Sequence, residues 1–229
     1  MQKWGRCIGD LLLSMKENKV NEFGRTYEED NSIIDSFKND YFQLPTDILI
    51  SKWILENIPF IFHGDKQHYL EVKSLLSKKI QIDSCSIVFV GSSSVGFSLS
   101  PNKHFKRFDD TSDIDIAVIS HYYFDIAWRT IRNIDIHSQP FPVQRFIIEH
   151  RNRLIYWGTI ATDKILGLLP FGAQWLKAIE SLKSDPIFKD RKISFRLYQD
   201  YEALRLYHVN NFSRNIQEII GVTPSVKQL

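Results

Sequence analysis

The chain has 229 residues, of which 43% are hydrophobic and 24% charged, and its formal net charge is +2. These values are ordinary for a soluble folded protein of one large or two small domains; they argue against global disorder and require no polyanionic partner. Two cysteines, Cys7 and Cys85, are too few for a disulfide framework or a metal knuckle. No apolar stretch approaches the roughly 20 residues that span a bilayer, so we expect a cytoplasmic protein without membrane contact.

The first third of the chain is predicted to be helical. Residues 1–45 are polar and patchy, which fits either a helical arm or a partly mobile segment. A clearer helix follows Pro45 and stops at Pro59, because apolar residues recur there at helical spacing. A further helix is predicted from Gln67 to Ile80 on the same grounds.

Two buried strands are predicted next, separated by a polar loop. Residues 86–90 and 114–119 are rich in β-branched and aromatic side chains, which is typical of buried strands. The loop between them carries Lys103, Lys106 and Arg107. A short helix is predicted for residues 122–131, after the second strand.

The second half of the chain is predicted to be mainly helical. Residues 172–182 show helical spacing, whereas residues 154–161 fit either a strand or a helix. A long final helix is predicted from about Ile193, with Leu197, Tyr201 and Leu204 on its apolar stripe, and with Gly221 and Pro224 ending it.

The second predicted strand carries two acidic residues, Asp113 and Asp115. Because they are two positions apart, their side chains leave the same face of a strand. Two carboxylates this close repel each other unless a cation lies between them. Oxygen ligands of this kind favour Mg²⁺, which is commonly shared between one or two carboxylates and substrate phosphates.

The first predicted strand ends in a turn that fits a phosphate. Gly91 leaves the strand and opens a short helix, so backbone N–H groups can approach a phosphate closely. The Ser92 hydroxyl can hydrogen-bond a terminal phosphate oxygen, and Gly96 keeps the next turn of backbone accessible. Together, the turn and the aspartates predict a site for a metal ion and a triphosphate.

These two motifs resemble the signature of the DNA polymerase β-like nucleotidyltransferase superfamily. The likeness rests on Gly91-Ser92 and Gly96, followed by the run from Ser112 through Asp113 and Asp115 to Val118. It implies a nucleotidyltransferase fold, a nucleoside triphosphate held at Gly91 and Ser92, and two Mg²⁺ ions bound by Asp113 and Asp115. The loop from 98 to 111 is longer than in compact members of the superfamily and is interpreted as an insertion.

The resemblance also implies a third carboxylate, on a later strand beside the aspartate pair, that helps to activate the acceptor hydroxyl. Asp135 is one candidate, because residues 133–137 alternate like a strand after the short helix. Asp163 is its rival, because it ends an apolar run. If neither serves, catalysis is in doubt while nucleotide binding survives.

The fold class expected from these observations is α+β, with a small mixed sheet flanked by helices, a helical N-terminal arm and C-terminal helices. The corresponding divisions are an arm at 1–65, a nucleotidyltransferase core at 66–165 and a helical region at 166–229. The expected activity is Mg²⁺-dependent transfer of a nucleoside monophosphate from a nucleoside triphosphate to an acceptor hydroxyl. The acceptor is left open between RNA, a protein side chain, a small molecule and another nucleotide.

Two other functions remain open at this point. The first is a catalytically inactive module of the same fold that binds nucleotide or a partner protein in a toxin-antitoxin or antiviral defence system. The second is a nucleic-acid-binding protein in which the aspartate pair is incidental, although the small net charge argues against a large polyanion footprint.

Overall fold

The structure is a computed structural model that describes residues 27–220. Residues 1–26, which include Cys7 and part of the predicted arm, and residues 221–229, which include the predicted helix stop at Gly221 and Pro224, lie outside the described range. Within that range the fold is mixed α+β, built on one sheet of four strands. No helix within residues 27–220 is both long enough and apolar enough to cross a membrane.

The sheet has the strand order β1-β2-β4-β3. β2 pairs antiparallel with β1 and parallel with β4, and β3 pairs antiparallel with β4 at the other edge. The strands are β1 (Ile87–Val90), β2 (Ile114–Ile119), β3 (Thr159–Ala161) and β4 (Ile193–Tyr198). Both strands predicted in the centre of the chain are therefore confirmed, and the undecided segment at 154–161 ends in the edge strand β3.

Eight α-helices lie within the described residues, and two of them continue into a π-helical turn. They are α1 (Tyr27–Gln43), α2 (Thr46–Ile50), α3 (Lys66–Ile80), α4 (Ser92–Val95), α5 (His121–Asn133), α6 (Phe141–Glu149), α7 (Gly172–Leu182) and α8 (Tyr201–Ile220). A π-helical turn extends α2 to Leu55, so the helix predicted between the prolines at 45 and 59 is confirmed. The helices predicted at 67–80, 122–131 and 172–182 are also confirmed.

One face of the sheet, which we call the apolar face, packs against α3, α5 and α7. Because side chains alternate along a strand, every second residue of the sheet points to this face. The residues that build it are Ile87, Phe89, Ile114, Ile116, Val118, Ile160, Ile193, Phe195 and Leu197. Trp175 of α7 is fully buried against it, with its ring 5.3 Å from that of Phe195.

The opposite face, which we call the site face, is covered only in part. Val88, Val90, Ala117 and Tyr198 form a second core there, together with side chains from α1, α2 and α8. The next side chains on the same face are polar: Asp115 on β2, and Ser194 and Arg196 on β4. The site face thus carries a hydrophobic core at one end and charged side chains at the other.

The prediction of one long helix from about Ile193 is wrong at its beginning. Residues 193–198 form β4, and the helix begins only at Tyr201, where the Asp200 carboxylate accepts a hydrogen bond from the Ala203 N–H at 2.7 Å. The apolar stripe was misleading because Ile193 and Leu197 are four residues apart, which fits a helix as well as one face of a strand. β4 therefore lies in the segment that was predicted to contain only helices.

Residues 133–137, whose alternation resembles that of a strand, do not form a strand either. The chain turns there after α5 ends at Asn133, and the Asp135 carboxylate accepts a hydrogen bond from the His137 N–H at 3.1 Å. The guanidinium of Arg151 donates to the carbonyls of Ile131 and Ile134, at 2.7 and 2.8 Å, and satisfies the helix end. The alternation arises because Ile134 and Ile136 pack on the core, while Asp135 remains exposed.

Candidate functional site

A cavity of about 360 Å³ opens on the site face of the sheet. Its walls come from the β1–α4 turn, the start of β2, the middle of β4, the loop at 98–112 and one side of α8. It is lined by Gly91 and by the polar and charged residues Ser92, Ser98, Ser100, Lys103, Lys106, Arg107, Ser112, Asp113, Asp115, Arg196, Tyr198, Tyr207, His208 and Asn211. Its volume lies in the lower part of the range that holds small-molecule ligands.

Gly91 lets the turn after β1 lie against the acidic end of β2. Its backbone has φ +67°, a conformation that glycine adopts without strain, and it caps the one-turn helix α4. A Cβ atom at this position would lie 3.2 Å from Oδ2 of Asp115. The absence of a side chain at Gly91 therefore keeps the carboxylate and the turn in close proximity.

Asp113 and Asp115 both line the cavity, but they differ in their surroundings. Asp115 is the second residue of β2, and its Oδ1 accepts a hydrogen bond of 2.6 Å from the Ser194 hydroxyl on β4. Asp113 lies directly before β2 rather than within it, and the Lys192 ammonium is 3.5 Å from its Oδ2. Ser194 thus fixes the orientation of one carboxylate, whereas the other is more than half exposed.

Arg196 lies on the strand next to this pair. In the parallel register of β2 and β4, Ser194 is opposite Asp115 and Arg196 is opposite Ala117, so all four point to the site face. The guanidinium lies over the Tyr207 ring, 5.0 Å from its centroid. Burial lowers the pKa of Arg196, but the neighbouring Tyr207, Tyr198 and Asp115 outweigh this effect and raise it, so the side chain stays charged.

The loop between the two central strands is folded back on itself. The Ser98 N–H donates to the Lys106 carbonyl at 2.7 Å, and the Phe108 N–H donates to the Gly96 carbonyl at 2.9 Å. Arg191, which is 8% exposed, anchors the far end of the loop by donating to the Asp110 carboxylate at 2.9 Å. The predicted insertion is therefore held over the cavity, with Lys103, Lys106 and Arg107 in its wall.

Within this loop, Asp109 is the most strongly perturbed acid. Burial raises the pKa of Asp109, but hydrogen bonds from Lys106, Thr111 and Ser112 outweigh it and lower the value to about 2. The Lys106 ammonium is 2.8 Å from Oδ2 of Asp109. Asp109 therefore stays ionised and holds the loop in shape.

α8 supplies a wall of the cavity that is more buried. His208 is 8% exposed, and burial lowers its pKa to about 4, so its imidazole is neutral at pH 7. Tyr198 is fully buried, and burial raises its pKa. Within residues 27–220, the Tyr198 hydroxyl and the His208 Nε2 have no hydrogen-bond partner. This wall of the cavity is therefore polar in composition, but its side chains are largely buried.

The structure brings together four of the predicted site residues and separates the other three. Gly91, Ser92, Asp113 and Asp115 share the cavity. Gly96 ends α4 with φ +89° and packs against Phe60, where a Cβ would meet the ring at 2.5 Å, so its role in this structure is to allow close packing. Neither Asp135 nor Asp163 is among the residues that line the cavity.

The two candidates for a third carboxylate therefore lie outside the cavity lining, although Asp163 is close enough to Arg196 to help raise the pKa of that guanidinium. Asp135 is on the exposed turn after α5. Asp163 is in the 3₁₀ turn that follows β3, with the Lys164 ammonium 3.5 Å from its Oδ2. The strand beside Asp115 carries Ser194 and Arg196 where a third acid was expected.

Several cavity residues on β4 and α8 were not predicted from the sequence. Arg196, Tyr198, Tyr207, His208 and Asn211 line the cavity, and Ser194 bonds to Asp115. A signal was present on β4, since Ser194, Arg196 and Tyr198 alternate with Ile193, Phe195 and Leu197. It was obscured because the same segment was interpreted as part of a helix.

The residues present fit a divalent cation shared with a phosphate ligand. No group of three or more His, Cys, Asp and Glu suited to hold a metal occurs in the part of the chain from 27 to 220. Asp113 and Asp115 are the carboxylates that line the cavity, and the Ser92 and Ser112 hydroxyls line it as well. Mg²⁺ is commonly held by one or two carboxylates that share it with substrate phosphates, so this donor set suits Mg²⁺ bound together with a nucleotide.

Comparisons of the chain with protein-family models, with curated proteins and with solved structures find no match to any of them.

Proposed function

We propose that this protein is a nucleotidyltransferase that binds a nucleoside triphosphate with Mg²⁺ and transfers the nucleoside monophosphate to an acceptor hydroxyl. The observation that carries the proposal is the shared cavity of Gly91, Ser92, Asp113 and Asp115, with cationic side chains on its other walls. The proposal includes the nucleotidyltransferase fold that the sequence motifs resemble. It also places the protein in the cytoplasm, where nucleoside triphosphates and Mg²⁺ are abundant.

In this proposal the chain holds the triphosphate from two sides. The glycine turn and the Ser92 hydroxyl donate hydrogen bonds to phosphate oxygens from one side. Lys103, Lys106 and Arg107 extend from the folded loop and neutralise phosphate charge from the other. Asp113 and Asp115 would hold Mg²⁺, which when bound stabilises the negative charge that develops in phosphoryl transfer. Ser194 keeps Asp115 oriented toward that site through its 2.6 Å hydrogen bond.

The nucleotide and its acceptor must lie in line for transfer, with pyrophosphate as the leaving group. The attacking oxygen forms a bond to the α-phosphorus as the bond to the bridging oxygen breaks, and the hydroxyl proton is lost to solvent or buffer. The acceptor is proposed to be RNA, a protein side chain, a small molecule or another nucleotide.

The test is transfer of radiolabel from α-labelled nucleoside triphosphates to candidate acceptors. We expect Asp113→Ala and Asp115→Ala to lower transfer at least about 100-fold, because each removes an oxygen ligand from the metal site. Asp125→Ala is a matched control, since this acid lies on α5 and pairs with Arg129 outside the cavity. Unchanged transfer in both cavity variants would contradict the proposal.

One observation favours a second candidate, a nucleotide-binding module without transferase activity. Among the described residues that line the cavity, Asp113 and Asp115 are the only acids. The neighbouring strand presents Arg196 rather than a carboxylate that could accept the acceptor proton. Such a module would bind a nucleotide or a partner protein in a toxin-antitoxin or antiviral system.

Pyrophosphate release separates the two candidates. It should be measured with each of the four nucleoside triphosphates, with and without bulk RNA or cell extract. Release that depends on Asp115 supports the transferase. Saturable nucleotide binding with no release under any of these conditions supports the binding module.

A further inference from the structure

Arg196 lines the cavity and forms no direct ion pair with a carboxylate among residues 27–220. It lies on the same face of the sheet as Asp115, one strand away, and lines the cavity with Gly91 and Ser92. Within residues 27–220 no carboxylate oxygen lies within 4.0 Å of its guanidinium, and its side chain forms no hydrogen bond. Asp115 and Asp163 act on this guanidinium only from a distance, so its charge in a partly buried wall favours an anion in direct contact with it.

The Tyr207 ring holds the Arg196 guanidinium in one orientation. The ring centroid lies 5.0 Å from the guanidinium carbon, an arrangement that stabilises the charge and restricts the side chain. A guanidinium offers five donors in a planar fork, which matches the oxygens of a phosphate group in a bidentate contact. The ligand class that this geometry fits best is therefore a phosphate ester.

The charge of the whole cavity limits how many metal ions such a ligand brings with it. Four cationic side chains, Lys103, Lys106, Arg107 and Arg196, and two carboxylates, Asp113 and Asp115, line the cavity. Two of these residues pair with residues outside the lining, Lys106 with Asp109 and Asp113 with Lys192, and the charges of these two partners cancel, so the lining carries more positive than negative charge. A triphosphate carries about four negative charges at neutral pH, so a single divalent cation brings the filled site close to neutrality.

A second divalent cation would add two further positive charges to a partly enclosed cavity, where repulsion between like charges is strong. It would also need a further oxygen ligand, and the strand next to Asp115 presents Arg196 in that region. Arg196 thus supplies the positive charge that a second ion would otherwise provide.

We propose that Arg196 binds the phosphates of the nucleotide and that the cavity takes one divalent cation per nucleotide rather than two. This inference rests on the proposed nucleotide site. It differs from the two ions that the resemblance implies, and it follows from the charges and strand register of this chain.

The test measures two quantities other than activity, and both measurements use the full chain. The first is affinity for a nonhydrolysable nucleoside triphosphate in the presence of Mg²⁺. Arg196→Met should weaken binding about tenfold or more, Arg196→Lys should weaken it less, and neither should change the affinity for the corresponding nucleoside. Arg129→Met is the matched control, because this arginine is exposed on α5 and pairs with Asp125. Thermal melting of each variant verifies that it folds.

The second readout is the number of Mn²⁺ ions that the wild-type chain holds when the nonhydrolysable nucleotide is saturating, counted by electron paramagnetic resonance. We expect one ion per chain. Two ions per chain, or unchanged triphosphate affinity in the folded Arg196→Met protein, would overturn this inference while leaving the nucleotide site intact. If the wild-type chain binds no nucleoside triphosphate at all, the proposed function itself fails.

Discussion

The two faces of the sheet are built from the same strands but have opposite properties. On the apolar face, β1, β2 and β4 present an unbroken row of Ile, Val, Leu and Phe side chains beneath α3, α5 and α7. On the site face, the corresponding rows become polar at Asp115, Ser194 and Arg196. Along one strand, the side chains on the apolar face therefore stabilise the fold, and the side chains between them carry the charge of the site face.

β2 shows this division most clearly. Ile114, Ile116 and Val118 are fully buried on the apolar face, whereas Asp115 between them faces the cavity. A change on the apolar face should therefore lower stability without altering the cavity. A change of an exposed charged side chain at the cavity should alter ligand binding at little cost in stability. The following predictions test this separation.

The largest expected effect is on stability, from Trp175→Ala on the apolar face. Trp175 is fully buried, and its ring contacts those of Tyr123, Phe171 and Phe195. Its removal should lower the free energy of unfolding by about 3–5 kcal/mol, because it leaves a large cavity. Urea denaturation measures the loss, and nucleotide affinity of the remaining folded protein should not change.

Leu176→Ala, at a position on the same helix that is 48% exposed, is the control for this change. It should cost less than about 1 kcal/mol. A comparable loss of unfolding free energy in both variants would show that α7 does not stabilise the fold through its buried side chains.

The next prediction compares two glycines with positive φ, Gly91 in the cavity and Gly64 outside it. Both Gly91→Ala and Gly64→Ala should cost about 1–3 kcal/mol of stability, because alanine is strained at φ +67° and φ +82°. Only at Gly91 does the added Cβ approach a functional group, Oδ2 of Asp115 at 3.2 Å, whereas nothing lies within 4 Å at Gly64. Gly91→Ala should therefore also weaken Mg²⁺-dependent nucleotide binding, by about tenfold.

Isothermal titration calorimetry with a nonhydrolysable nucleotide measures this difference. Equal affinity in the two glycine variants would indicate that the close approach of Gly91 and Asp115 has no part in binding.

The third prediction concerns pH and the buried wall of α8. Burial lowers the pKa of His208 from its model-compound value of 6.5 to about 4. Between these values the unfolded chain binds a proton that the folded chain does not, so stability falls as the pH falls from 6.5 toward 4. His208 should account for about 2 kcal/mol of the stability lost between pH 7 and pH 5.

His208→Phe should reduce this pH dependence, which denaturation at the two pH values measures. His150 will leave a residual dependence, because burial also lowers its pKa. Its Nδ1–H donates to the Phe146 carbonyl and its Nε2 accepts from the Ala161 N–H at 3.1 Å, an arrangement that requires the neutral ring. An unchanged pH profile in His208→Phe would contradict the assignment to His208.

The smallest expected effect comes from a single lysine of the folded loop. Lys103→Ala should weaken nucleotide affinity about two- to fivefold at low salt, since an exposed charge contributes little. The effect should largely disappear at high ionic strength because exposed charges are screened. Lys177→Ala on α7, which is exposed and far from the cavity walls, should have no effect at either salt concentration.

Much of the fold could be predicted from local sequence patterns. β2 matches the predicted residues 114–119, and α7 matches the predicted residues 172–182. These elements were accessible because burial and periodicity agree within each segment. Gly91, Ser92, Asp113 and Asp115 were accessible for a similar reason, since each lies at the end of a strand whose pattern is unambiguous.

The rest depended on contacts between distant parts of the chain. Residues 193–204 satisfy helical and strand spacing at once, and only the pairing of β4 with β2 decides between them. The third carboxylate was sought at Asp135 and Asp163 because the neighbour of β2 could not be identified. Once β4 takes that place, Arg196 and Ser194 enter the site, together with the side of α8 that begins at Tyr207.

The most direct test of the central claim is a crystal structure of the full chain with Mg²⁺ and a nonhydrolysable nucleoside triphosphate. We predict that the phosphates lie between Gly91-Ser92 and Arg196, with the metal ion on Asp113 and Asp115. A nucleotide bound elsewhere, or a cavity that remains empty at millimolar nucleotide and Mg²⁺, would contradict it.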